Sequence, residues 1–193
     1  MVTMGITKKT NNNKHKGNNF ERYAASKLSH IFGLRLARVY SSGAMDIKGD
    51  LRPEMDVHGN IPNFEWVIEC KNQKTYNIKS WIKQMMDEEE ANNKYGLLIF
   101  HVHGFKRNIV GLRTEVAEKF LYPEVVDENM YRWTSKPIGV NGFSKLVNIL
   151  AYSYDYFGKE LVFDIDVNKT GVLFMNVESF AKLFRKDFKR DLL

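Results

Sequence analysis

An α/β fold, with a mixed β-sheet flanked by helices, is predicted by three patterns in the 193 residues. Phe64 to Cys70 and Leu97 to Val102 are apolar runs of strand length. Between them Ile78, Trp81, Ile82, Met85, Met86 and Glu89 recur at i, i+3, i+4, i+7 spacing, one face of a helix whose five apolar members are core. Ahead of both, Phe20, Ala24, Leu28 and Ile31 make a second helical stripe.

Each element has its own signal. Asn18 or Asn19 caps the first helix near Phe20, and Gly33 ends it. Leu34 to Tyr40 alternates as a strand. Ser41 to Ala44 is a tight connection into a short strand, Met45-Asp46-Ile47. Residues 49–63 hold Gly49, Pro53, Gly59 and Pro62 and read as a hairpin loop or insertion. Asn77 or Ser80 starts the second helix, which Gly96 breaks. Asn108 to Leu112 is a further strand, and Thr114 to Phe120 a short helix. The order is α-β-β-β-α-β.

Periodicity weakens over about 123–158, an insertion with a helix near Phe143 to Tyr156. Phe163, Ile165 and Val167 alternate as a strand, with Gly171 to Asn176 as hairpin partner. A last helix, Val177 to Phe188, exposes Lys182, Arg185, Lys186 and Lys189. Residues 1–17 are asparagine-rich, carry Lys8, Lys9, Lys14 and Lys16 without an acid, and read as a disordered basic arm. The expected organisation is that arm, then a single domain over 18–193. Its core is about 18–120, with the insertion and a C-terminal extension, hairpin and helix, over 160–193.

A net charge of +6 favours an anionic partner, nucleic acid before membrane, since no basic amphipathic helix dominates. The same charge also fits a merely basic soluble protein. One cysteine excludes an internal disulfide and suits a reducing cytosol. No stretch is apolar enough for a membrane span or a signal segment, so the expected location is the cytoplasm of a bacterial or phage-infected cell.

The chemistry gathers in two places. Asp46 stands in Gly-Ala-Met-Asp-Ile-Lys-Gly-Asp, and Glu69-Cys70-Lys71 lies on the apolar strand. Strand side chains alternate, so Glu69 and Lys71 share one side while Ile68 and Cys70 face the core. Cys70 is therefore packing rather than a nucleophile. A carboxylate beside an ammonium can bind a metal and steady a developing phosphorane charge. Other features have plainer readings: His101 and His103 as satisfied strand histidines, and Asp87 to Glu90 as a solvated face. Trp66, Trp81 and Trp133 have rings that can stack on bases, but Trp66 and Trp81 sit on core-facing positions.

With these residues in place the N-terminal half, roughly 16–112, resembles archaeal-type Holliday junction resolvases of the PD-(D/E)xK nuclease superfamily. Lys16-Gly17-Asn18-Asn19-Phe20-Glu21-Arg22 is similar to that family's opening. Arg38-Val39-Tyr40-Ser41-Ser42-Gly43-Ala44-Met45-Asp46 resembles its stretch before the metal-binding Asp, and Glu69-Cys70-Lys71 its Glu-x-Lys strand. Three features depart from it: a longer interval from Asp46 to Glu69, the 123–158 region, and Gln84 on the helix after the Glu-x-Lys strand, which is more similar to Gram-positive bacterial resolvases and several exonucleases.

The resemblance implies a restriction-endonuclease-like sheet and a Mg²⁺-dependent endodeoxyribonuclease, with Mn²⁺ as substitute. Asp46, Glu69 and the Cys70 carbonyl would ligate the metal. Lys71 would orient the attacking water, or else pair with a nearby acid. Glu21 would reach the metal or its waters, or favour the helix dipole. Lys16, Arg22, Arg38, Ser42 and Gln84 would contact DNA, although either arginine can instead pair with Glu21 and Gln84 can face solvent. The implied substrate is branched double-stranded DNA, cut by a homodimer with paired nicks. A restriction-like or repair nuclease on duplex or ends, and a non-catalytic DNA-binding module, are the alternatives.

Overall fold

A computed structural model describes residues 7–40, 49–105, 107–121, 130–132, 143–150, 162–167 and 169–184. Its first element, helix α1, runs Thr7–Phe32 and closes at Gly33, whose φ of 69° suits a residue without a side chain. Residues 7–17 are thus the opening turns of a helix rather than a disordered arm. Extending a formed helix adds one hydrogen bond per residue, whereas starting one is unfavourable, so a polar segment can ride on the anchored part. The anchored part is the expected stripe: Phe20, Ala24, Leu28 and Ile31 are all buried.

A two-stranded ribbon comes next, β1 (Leu36–Arg38) antiparallel to β2 (Leu51–Pro53). The segment expected to be loop therefore contains a strand. Pro53 is tolerated because it closes the strand at the ribbon's edge. The expected Met45-Asp46-Ile47 strand lies outside the described residues, as do Ser42 and Trp133.

The main sheet holds six strands in the order β3-β4-β5-β8-β7-β6. β3 (Trp66–Lys71) pairs in parallel with β4 (Tyr95–His101) through the crossover helix α2 (Ile78–Asn92). β5 (Asn108–Arg113) is antiparallel to β4, and helix α3 (Thr114–Phe120) leaves its end. β6 (Met130–Arg132) runs parallel to β7 (Val162–Val167) at the far edge. Helix α4 occupies residues 143–150. β7 turns into β8 (Thr170–Asn176), which pairs with β5, and helix α5 is Val177–Leu183. Asn93, in the left-handed region at φ 50°, ends α2, so Gly96 is a strand residue and not the breaker.

Both faces of the sheet are covered, which is why β3, β4 and β5 read as nearly unbroken apolar runs. On one face Trp66, Ile68 and Cys70 pack with Leu28 and Phe32 of α1, Phe120 of α3 and Phe180 of α5. On the other, Leu98, Phe100, Phe163 and Phe174 pack with Trp81, Ile82 and Met85 of α2 and with Phe143, Leu146, Val147 and Leu150 of α4. The described parts of 123–158 thus belong to the core architecture as an edge strand and a covering helix, not to an insertion. Among the described residues no helix is long and apolar enough to cross a membrane.

Two substitutions test that placement of α4. Leu146→Ala, at 3% exposure, is expected to lower unfolding free energy by about 2–5 kcal/mol in urea titrations. Ile149→Ala, at 43% exposure, is expected to change it by less than about 0.5 kcal/mol. Equal effects would remove α4 from the core.

Candidate active site

The site forms where the β1–β2 ribbon meets the outer edge of β3. Asp50, the residue before β2, is fixed there three times. Its N–H donates to the Ile68 carbonyl at 2.7 Å, and its carbonyl accepts from Val39 N–H at 2.8 Å. Its Oδ2 accepts from Cys70 N–H at 2.7 Å. Gly49 permits the approach: its φ is +86°, and a Cβ there would sit 2.8 Å from Val67 Cγ2 and 3.2 Å from the Ile68 backbone. Asp50 is the acid that sequence patterning hides, because its Gly-Asp pair looks like part of a loop. Asp46 itself lies outside the described residues.

Glu69 projects from β3 toward α2 and is only 3% exposed. Lys71 leans back on it: the Lys71 ammonium donates to Glu69 Oε1, and also to Gln84 Oε1 at 2.8 Å. Gln84 Nε2 in turn donates to Glu88 Oε1 at 3.1 Å. A continuous polar line therefore runs Glu69–Lys71–Gln84–Glu88 from strand to helix. Gln84 faces the site rather than solvent. Glu88 also turns inward, with Oε2 buried and unpartnered. The run expected to be a solvated face is divided three ways. Asp87 pairs with Lys83 in solvent, Glu88 faces the site, and Glu89 is buried against Arg113 at 2.8 Å. Met86 is correspondingly only half-buried, so Glu89 takes a core position expected of an apolar residue.

From the other side, α1 brings Glu21, which pairs with Arg38 of β1. Arg38 is thereby committed to Glu21. Arg22 stays on the exposed surface beside Asn19, at 3.5 Å, and does not join the cluster. Lys16 meets the site's rim through its carbonyl, which accepts from Asn72 Nδ2 at 3.0 Å. His101 is satisfied, its Nδ1 lying 2.9 Å from Asn108 Oδ1, whereas His103 Nε2 is buried without a partner.

The electrostatics arise from crowding acids in a poorly hydrated place. Burial, then the charge of Asp50, pushes the Glu69 carboxyl up to about 8; Lys71 pulls against this and Glu88 adds to it. Burial likewise lifts Asp50 to about 6, against the Cys70 N–H, with Glu21 and Glu88 pushing the same way. Burial, then the same acids, raises the Cys70 thiol well above its usual value, as expected of inert packing. Four acids, Glu21, Asp50, Glu69 and Glu88, thus share one neighbourhood with two cations, Lys71 and Arg38.

That donor set fits a hard divalent cation. Mg²⁺ takes one or two carboxylates and keeps several waters, so Asp50 and Glu69 suffice without a dedicated cage. Among the described residues no three His, Cys, Asp or Glu side chains form a ready cage. A strand residue's N–H and C=O point to the same edge, so the Cys70 carbonyl lies on Asp50's side.

A family model described as "Phage putative PDDEXK endonuclease" matches residues 12–136, more than half of the chain. No curated protein and no solved structure gives a significant match. The matched segment spans Glu21, Asp50, the Glu69-Cys70-Lys71 strand and α2.

The raised acids fix a pH dependence. The folded chain without metal binds more protons than the unfolded chain between the ordinary Glu value of 4.5 and about 8, so stability is full below that window and falls as pH rises through it. Melting temperature measured in EDTA is expected to decline less steeply in Glu69→Gln than in the parent. Identical slopes would mean that Glu69 is not a strained acid. Gly49→Ala is expected to lower melting temperature and loosen the Asp50 contacts together, detectable as faster amide exchange at Cys70.

Proposed function

The chain belongs to the phage PDDEXK endonuclease family, with its restriction-endonuclease-like α/β fold, and we propose that it is a Mg²⁺-dependent endodeoxyribonuclease that resolves four-way DNA junctions. The observation that carries this reading is the meeting of two buried acids, Asp50 and Glu69, with Lys71 on one strand edge.

In this reading Asp50, Glu69 and the Cys70 carbonyl hold the cation, Asp50 taking the place that the sequence assigned to Asp46. A bound divalent ion polarises the phosphoryl oxygen and acidifies a water. The remaining work falls to the chain's own groups. Lys71, swung from Glu69 toward the phosphate, positions the attacking water and offsets developing charge. Gln84 holds the Lys71 ammonium at the strand edge, and Glu88 fixes which end of the Gln84 amide faces it. Glu21 keeps Arg38 beside the site, where its guanidinium fork suits a flanking phosphate. Lys16 and Ser42 contribute to binding along the strand. Paired nicks need two sites about a two-fold axis, which a homodimer supplies. Binding to the backbone makes affinity salt-dependent and largely blind to sequence.

Cleavage of junction, linear duplex and single-stranded DNA with Mg²⁺ or Mn²⁺ tests the reading. Paired nicks near the junction centre are expected; cutting confined to linear duplex would replace the junction by a restriction-like substrate. Asp50→Asn is expected to reduce cleavage by at least about 10³-fold while junction affinity stays within a few-fold, because phosphate contacts supply most binding. Asp46→Asn is expected to retain activity. The reverse pattern would return the ligand role to Asp46.

A further inference from the structure

Beside the carboxylate cluster lies a second concavity, a pocket of about 340 Å³ between the first half of α1 and the ends of β3 and β4. Phe20 and Tyr23 form one wall, their rings 6.3 Å apart and inclined by 20°. His101 stands across from Phe20 at 6.0 Å, braced by Asn108. Lys16 and Asn72 complete the polar rim. Asn72 directly follows Lys71, so the pocket adjoins the proposed scissile position.

Three properties narrow the occupant. The walls are aromatic yet partly open, Tyr23 being 38% exposed, which suits a flat ring that stacks. The Asn72 amide orientation is forced: the Lys16 carbonyl only accepts, so Nδ2 must face it, and Oδ1 is left buried without a donor. A ligand N–H offsets that loss. The charge nearby is positive, from Lys16 and from Lys27, whose ammonium lies 5.8 Å over the Tyr23 ring. A stacking ring that carries N–H donors and hangs from an anionic backbone is a nucleotide.

We propose that this pocket receives an unpaired nucleobase adjoining the cut, so the preferred substrate carries an unpaired or readily extruded nucleotide there rather than being uninterrupted duplex. The inference rests on the nuclease reading for the location of the cut, but not for the pocket itself. Bases within a regular duplex are stacked and paired, and presenting one to the pocket requires extruding it; a branch point or bulge has already met most of that requirement.

The test uses full-length protein in EDTA with oligonucleotides carrying 2-aminopurine at a bulged position or within perfect duplex. Stacking in the pocket is expected to quench the bulged probe. Tyr23→Ala is expected to lose that quenching and to weaken binding of bulged DNA about ten-fold, with duplex affinity unchanged. Tyr23→Phe restores both. His101→Gln, which removes a ring but keeps a partner for Asn108, provides a second variant with the same expected loss. Undiminished quenching in both variants, no quenching by the parent, or equal weakening of duplex binding overturns the proposal. Selective quenching by a chain that cuts no DNA with Mg²⁺ upholds the pocket and removes the nuclease reading. Cutting without selective quenching does the opposite.

Discussion

Asp50 is tied to β3 by its main chain and its side chain at once, and the proposed chemistry depends on that double attachment. The β1–β2 ribbon has little core of its own; Leu36, Leu51 and Pro53 are its buried contributions. What sets its position is the Ile68 carbonyl and the Cys70 N–H, two groups that an edge strand would otherwise leave unpaired. The same bonds that cover the exposed edge of the sheet deliver a carboxylate to Glu69. Sheet completion and site assembly are one event.

Helix α2 completes the arrangement from the opposite face of β3. Its apolar side, Ile78, Trp81, Ile82 and Met85, is locked onto the sheet, leaving Gln84 to meet Lys71 and Glu88, one turn on, to meet Gln84. Rigid packing on one side of the helix thus sets polar geometry on the other. The acids gathered here oppose folding by their mutual repulsion and poor hydration. Such strain is retained where a cation or substrate relieves it, which is why shifted carboxylates mark functional sites.

Much of this was legible from residue patterns. α3, the β7–β8 hairpin and the apolar runs of β3 and β4 can be read from periodicity because packing there is local or repeats at the strand period. Glu69 and Lys71 were legible because a strand's alternation fixes their direction, whereas Gln84 stayed open between site and solvent until its bond to Lys71 placed it. Asp50 was not. The glycine and proline signals around it announce a turn, and the pairing that makes Leu51–Pro53 a strand is with Leu36–Arg38, a distant segment on the far side of the 41–48 connection. Glu88 was hidden for a related reason: four consecutive acids look uniform, and only the helix's contact with β3 distinguishes the one turned toward Lys71 and Gln84 from the one buried against Arg113. The opening turns of α1 show the converse, polar residues held in helix by the buried turns downstream of them.

At the centre of the proposed chemistry are two poorly hydrated acids, Asp50 and Glu69, which in that proposal ligate a hard cation. Calorimetric titration with Mn²⁺ near pH 7, repeated in buffers of different ionisation enthalpy, measures this directly, since Glu69 is held up to about 8 and must shed its proton to ligate. The expected result is saturable binding that releases about one proton per site and is lost in both Asp50→Asn and Glu69→Gln. Binding without proton release, or binding that survives both substitutions, would contradict it.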